Sequence, residues 1–486
     1  MSSASVTETK KNPIVAYFAD FKVLKDNPKE FWGIQAINFL DSTAYFAMLS
    51  VAMLYLRTDL GFGLKSSGYV MTAFTSMVTI SMLFSGVVGD VMGVRKSLWL
   101  SMGLKLLLSG SLLALGLVKS IPGRQALVVL SLLAMAPMLA LIQTVFQAAN
   151  VRFTSKRSRS AGFNLWYLFM NVGAFVAGEV IDRVRLTYKL PNAWIVGFGA
   201  ATSLLALLVT GSLIHSEKQV HGPDEAEAEA AAAKKDEVPK KKALEILKDM
   251  VRESAFWRFL CLVGVLLGVR AVFVYIYMLM PQYWIEVMGK EAPIGLLNQI
   301  NPFLIVAGLI LFIPIANRWS VFRMLTVGAI ISALSLFVLT LPWTMFSTDF
   351  GRAHFRMSAT MMVVLSIGEV IWSPKLSEYT AAIAPKGQEG AYLGMSMMPW
   401  FIAKMAVSAM SGHMLERWSP DGIGDKLRAG QVDFWHSPSG MWFVLGIWAL
   451  SGPIIALMAE KWLTKGARWK AEDVPAPGAD AASEAA

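Results

Sequence analysis

The chain has 486 residues, 55% of them hydrophobic and 16% charged, with a mean hydropathy of +0.52. A soluble domain carries roughly a quarter charged residues, so this composition indicates an integral membrane protein. The net charge of +10 does not point to nucleic acid, because the cations fall mainly in connections between apolar runs, and the lone cysteine, Cys261, excludes an internal disulfide.

The first 30 residues are polar and lack a cleavable signal pattern. Within them PIVAYFADFKVL (13–24) is amphipathic and is expected to lie on the membrane surface. Apolar runs then recur at 31–56, 67–89, 97–118, 125–149, 161–181, 193–214, 255–281, 295–316, 321–342, 357–383, 391–413 and 439–460. Each is long enough to cross a hydrocarbon core of about 30 Å as a helix, so the expected fold is all-α with 12 transmembrane helices. The only long hydrophilic interior segment, 215–254, is rich in Ala, Glu and Lys and divides the crossings six and six. The expected domains are a tail (1–30), a first six-helix bundle (31–214), a linker (215–254), a second bundle (255–463) and a low-complexity tail (464–486).

With both termini inside, Arg95 and Lys96, Arg152 to Arg159, Lys234 to Lys248, Arg318 and Arg323, and Lys461 to Lys470 all fall on the cytoplasmic side. This positive-inside bias sets the orientation and predicts a multi-pass protein of the cell membrane, the inner one in a bacterium. Basic residues in the 5–6 and 11–12 connections run against the bias. No Walker A sequence appears and the five histidines show no metal-ligand spacing, so ATP-driven pumping, a metal site and a bound cofactor are not expected.

The loop after the second run reads GVVGDVMGVRK (86–96). It resembles the GxxxDxxGx(R/K)(R/K) signature of the major facilitator superfamily, with Gly86, Asp90, Gly93, Arg95 and Lys96 in place. The six-plus-six layout agrees, and the resemblance implies two bundles that rock about a site near the bilayer midplane, with this loop as conformational machinery.

Further stretches resemble the proton-dependent oligopeptide transporters, in that family's order along nearly the whole chain. AGFNLWYLFMNVGAFVAG (161–178) is similar to its fifth-helix FYxxxNxG, with Tyr167, Asn171 and Gly173 matching. NQINPFLIVAGLILFIP (298–314) resembles its eighth helix, with Asn301 and Pro302. IGEVIWSPKLSEYTAAIAPKGQEGAYLGMSMMPWF (367–401) resembles the tenth and eleventh, with Gly368, Glu369, Ser373, Pro374, Ala384, Pro385, Gly390 and Trp400. The resemblance implies that Tyr167, Asn171, Asn301, Glu369 and Trp400 border a peptide cavity, and it brings Tyr45 in by alignment of the first helix. Amides suit a peptide-like ligand and Trp a flat wall, while buried Asn also serves as glue between helices.

The resemblance breaks at the charges. The family's first-helix ExxERFxYY becomes NFLDSTAYF (38–46), so Asp41 takes the place of the second Glu, Asn38 the first and Ser42 the Arg. The fourth-helix Lys is absent near Ile142 and Gln143, and the seventh-helix Glu near Val265. New charges appear instead: Arg270 in the seventh run and Lys404 in the eleventh. Asp41, Arg270, Glu369 and Lys404 all fall near mid-helix, where four unpaired charges would cost on the order of 10 kcal/mol. They are therefore expected to be paired or hydrated. Asp41 is expected to meet Arg270 as a gate with exchanged polarity, and Lys404 and Glu369 to contact opposite ends of a substrate. Static salt bridges, such as Glu369 with Lys404, are the plainer alternative. Lys105 sits off-centre and is expected to snorkel.

The function these features imply is secondary active transport of small peptides or a related charged organic solute, driven by protons, with substrate, protons and lipid as partners and no nucleic acid. The alternative is a proton-independent carrier or an exporter of a metabolite or drug. A receptor that kept only the fold has no need of the 86–96 loop, and no enzyme site can be assembled from these motifs.

Overall fold

The computed structural model describes residues 22–216, 218, 220, 252–316, 320–383 and 398–465, and all regular structure among them is helical. Residues 13–21 of the interfacial stretch, nearly all of the linker with Lys234 to Lys248, Arg318, Ala384, Pro385, Gly390, the methionines of 395–397 and the tail from 466 lie outside the described residues.

Thirteen helices carry the argument: α1 (Lys29–Leu54), α2 (Leu64–Leu117), α3 (Arg124–Arg152), α4 (Lys156–Asp182), α5 (Ala193–Leu213), α6 (Ser254–Val265), α7 (Leu267–Met278), α8 (Met280–Met288), α9 (Ile294–Ala316), α10 (Val321–Leu334), α11 (Phe350–Ile383), α12 (Met398–Trp418) and α13 (Pro438–Met458). Each expected apolar run carries helix, but not as twelve continuous rods. The second and third runs share α2, which turns at Gly93 with φ 77 and ψ 171. A side chain there would strain against its own backbone, which is why the chain reverses at a glycine. The seventh run is split, with α6 and α7 bent by 41°. Gly452 of α13 lets the Val265 carbonyl occupy the space a Cβ would fill, so the broken helix seats tightly on α13. By length and hydropathy, eight described helices are able to span a membrane, or nine with the bent pair.

Helices before residue 217 pack on one another, α2 on α3 and α5, and α1 on α4 and α5. Those after residue 252 do the same, α10 on α11 and α13, and α7 on α12 and α13. Large buried side chains of the second half, Trp284, Trp372, Trp442 and Tyr283 among them, belong to its aromatic core, with the Tyr283 and Trp442 rings 5.5 Å apart. Outward faces are apolar and exposed, as at Leu107, Leu130, Leu208 and Ile455, which suits contact with lipid.

The halves meet where α4 packs on α9 and α2 on α12. Many of the named cross-contacts sit at the end opposite the start of α1, here called the distal end. There Gly178 and Gly295 each leave room for the other's carbonyl, and a Cβ on Gly68 would lie 2.8 Å from the Gly412 nitrogen. The Asp182 carboxylate accepts from the Gly295 and Leu296 amides, both at 2.7 Å, capping α9 from the other half. Arg57 pairs with Asp421 at 2.6 Å, and Lys65 with Glu416 at 2.5 Å. Asn298 donates to the Ser50 hydroxyl at 3.0 Å. Backbone-close packing with polar clasps holds this end shut.

Candidate functional site

Glycine packing positions the first half of the site. A Cβ on Gly173 of α4 would lie 2.9 Å from the Phe39 carbonyl and 2.9 Å from Ser42 Cβ, so α4 presses on the turn of α1 that bears Asp41. Asn38 donates to the Trp166 carbonyl at 2.9 Å and fixes the register between the two helices. Asp41 is buried, and its Oδ1 accepts from Lys105 Nζ of α2 in an ion pair with the side chains 2% and 4% exposed. This corrects two sequence expectations. Asp41 is not paired with Arg270, and Lys105 does not snorkel; the two lie at one depth on adjacent helices of the same half, where each neutralises the other.

The second half presents three charges. Glu369 of α11 accepts from Asn301 Nδ2 of α9 at 2.8 Å, and the Tyr167 hydroxyl of α4 approaches its other oxygen at 3.5 Å from the opposite half. Asn301 also donates to Ser366 Oγ at 3.1 Å. Lys404 of α12 is 8% exposed and donates to the Tyr45 hydroxyl at 2.7 Å, again across the halves. Its ammonium stands 5.2 Å from the centre of the Tyr45 ring, 4.9 Å from Trp400 and 5.4 Å from Phe401, a cage of ring faces that favours a cation. Arg270 of α7 lies one turn beyond the break in the helix. Its Cζ is 4.7 Å from the centre of Trp372 and 5.8 Å from Trp400, and its buried Nε has no hydrogen-bond partner.

No ion pair joins Glu369 to Lys404 or to Arg270 among the described residues, so the static bridge weighed as an alternative is not present. Asn171 donates to the Tyr167 carbonyl one turn back on its own helix at 2.8 Å. Phe46 and Tyr277 close the apolar side of the cluster, with rings 5.6 Å apart. Tyr45, Tyr167, Asn301, Glu369, Trp400 and Lys404 thus converge at mid-height between the halves, with Arg270 behind Trp400. A separate cavity of about 690 Å³ opens at the distal end, lined by Arg57, Arg185, Glu286 and Asp421 among others. None of the central residues lines it.

The sequence profile of the Major Facilitator Superfamily matches residues 31–408. The chain belongs to that superfamily. Solved structures agree on the fold at low identity. The peptide transporter POT, in a mutant form, superposes with a TM-score of 0.68 at 16% identity, over 91% of this chain and 96% of its own. A POT family transporter in complex with 5-aminolevulinic acid gives 0.65 at 16%, over 90% and 97%. A D-xylose-proton symporter gives 0.65 at 15%, over 90% and 98%. A search of curated proteins returned no match.

Within the superfamily's 86–96 loop, Gly93 supplies the left-handed turn between the two arms of α2. Gly86 has open space where a Cβ would stand, so close packing does not require it there. Asp90 and Lys96 are exposed and Arg95 is half-buried. The sequence left out Trp372, Phe401, Asp182 and the Gly178–Gly295 contact. For Lys105 a signal was present. Asp41 stands twelve residues after the start of α1 at Lys29, and Lys105 twelve after the turn at Gly93. At 1.5 Å per residue both are about 18 Å into the bundle.

Proposed function

We propose that this superfamily member is a secondary active transporter that moves small peptides or a related charged organic solute by alternating access, with protons as the driving ion. The observation that carries the reading is the pair of mid-height contacts between halves, Tyr167 to Glu369 and Lys404 to Tyr45. Both are single polar contacts, easily broken and remade when two bundles rock, and each includes an ionisable group. Glu369 is the proton-carrying group of this proposal. Asp41, held by Lys105, and Arg270, stacked on Trp372, serve gating. Lys404, Tyr45, Tyr167, Asn171, Asn301 and Trp400 supply the wall and polar groups for the solute. The clasped distal end makes this the state closed on that side. In this reading the twelve apolar runs are twelve crossings in two bundles, 31–214 and 255–463, with both termini and the 86–96 loop cytoplasmic. Partners are solute, protons and lipid.

The test is uptake into liposomes holding the full chain, over a panel of dipeptides and small organic ions, with and without an inward proton gradient. The gradient is expected to drive accumulation, and Glu369→Gln to abolish that accumulation by more than about tenfold while leaving exchange of solute across the membrane. Equal rates with and without the gradient would sink proton coupling and select the alternative, a facilitating carrier or exporter. That alternative draws on the absence of basic residues at Ser42 and Gln143.

A further inference from the structure

The charges of the central cluster do not balance. Asp41 and Lys105 cancel in the first half. In the second half two cations, Lys404 and Arg270, stand with one carboxylate, Glu369, which is bonded by Asn301 and Tyr167 and lies beyond ion-pair distance of both. A protonated Glu369 would leave two uncompensated cations; an ionised one still leaves a surplus of one. Uncompensated charge at mid-membrane is costly, and no further carboxylate among the described residues pairs with either cation.

Placement shows where an anion would relieve that cost. Both cations flank one indole, with Lys404 Nζ 4.9 Å and Arg270 Cζ 5.8 Å from the centre of Trp400, so they are separated by no more than the sum of those distances. Lys404 has the Tyr45 hydroxyl as its one hydrogen-bond partner, although an ammonium has three donors. The Arg270 Nε is buried and has no partner. Unused donors of two cations around one indole make a receptor for a carboxylate or a group of like charge, and the aromatic wall suits an apolar chain next to it.

We infer that the solute's acid group binds between Lys404 and Arg270 beside Trp400, and that the carrier selects organic anions and acid-bearing zwitterions while needing no amino group on them. The inference rests on the transport reading for the location of the site, and it narrows the substrate class to solutes with a free acid.

Three probes with one backbone isolate the charge: N-acetyl-Ala-Ala, an anion; Ala-Ala, a zwitterion; and Ala-Ala amide, a cation. Binding to the purified full chain is read by thermal shift, and uptake separately in liposomes. The anion and the zwitterion are expected to bind and the amide to bind at least about tenfold more weakly, the loss of one charge-assisted contact. Lys404→Gln is expected to weaken both acid-bearing probes about tenfold, and Lys404→Arg to restore them. Amide binding as tight as that of the acids, no acid-probe binding at millimolar concentration, or unchanged affinity in Lys404→Gln would overturn the inference. Acid-selective binding without accumulation in liposomes sinks the carrier reading and leaves the anion site standing. Accumulation of all three probes alike does the reverse.

Discussion

The two halves handle buried charge in opposite ways. In the first, an acid and a base at equal depth on α1 and α2 close on each other and are almost fully buried. In the second, the three charged side chains of the central cluster form no ion pair with one another and rest on amides, a phenol and indole faces instead. A closed pair has little left to offer a solute, because taking either member away leaves a bare charge in a low dielectric. Groups held by neutral partners keep most of their electrostatic capacity and can exchange those partners at modest cost. In the proposed mechanism the ion pair of the first half steadies its bundle, and the unpaired charges of the second are the groups proposed to respond to solute and proton.

The largest expected effect tests the scaffold side. Asp41→Asn leaves Lys105 buried without its counter-charge and should cost about 3–5 kcal/mol of stability, measured as the loss of Tm in detergent or lipid. Asp41→Asn combined with Lys105→Met removes both charges and should recover most of the loss. Exchanging Asp41 with Arg270 should rescue nothing. Glu369→Gln, by contrast, should change Tm little, since Asn301 and Tyr167 can bond an amide as well as a carboxylate. Equal Tm losses for Asp41→Asn and Glu369→Gln would erase the distinction between the halves.

A smaller effect tests how the halves meet. Gly295 leaves space for the Gly178 carbonyl, and backbone on both sides gives a Cβ nowhere to go. Gly295→Ala should strain the closed distal end by roughly 1–3 kcal/mol and shift the population towards the state open there. A cysteine placed at Ser50, in a Cys261→Ser background, reports this, since Ser50 is buried beneath the Asn298 contact. Its labelling by a polar maleimide should quicken about tenfold in Gly295→Ala. An unchanged rate would mean that the Asp182 and Arg57 clasps, rather than the glycine contact, hold this end.

What the sequence made legible follows the range of each signal. Apolar runs of some 20 residues mark helices because a spanning segment must bond its own backbone, so the runs foretell where helix lies among the described residues. The turn at Gly93 is legible through the resemblance of 86–96 to the superfamily signature, and the convergence of Tyr167, Asn301, Glu369 and Trp400 through the resemblance to the oligopeptide transporters. Pairing between charges was not, because side-chain partners depend on which faces of which helices meet. The gate analogy points Asp41 to Arg270, although equal depth on neighbouring helices favours Lys105. The sequence places Arg270 near the middle of one apolar run, whereas the structure sets it in the first turn of α7 after the bend from α6, and its stacking on Trp372 depends on that bend, which no local residue pattern announces. Cross-half clasps such as Asp182 on α9 were hidden for the same reason: a carboxylate at a helix end reads as an ordinary loop charge until the other half is in place.

The smallest effect concerns a charge that faces water instead of the bilayer centre. Glu286 of α8 lines the distal cavity and accepts from the Gly422 amide at 2.8 Å and from Gln282 Nε2 at 2.8 Å. Burial pushes its pKa above the ordinary carboxylate value, and the Gly422 bond offsets only part of that rise. A raised folded-state pKa means that the ionised side chain weighs against folding above that pKa, and that the penalty fades as pH falls through it. Glu286→Gln keeps an acceptor for Gly422 and removes the charge. At neutral pH it should match or slightly exceed the native protein in Tm, by less than about 1 kcal/mol once solvent screening at this half-buried position is allowed for. The gap should close as pH falls into the carboxylate range, because the native Glu286 then becomes neutral as well. A variant clearly less stable than the native protein at neutral pH would show instead that the carboxylate's charge, acting on Arg57 across the cavity, helps to hold the halves together at this end.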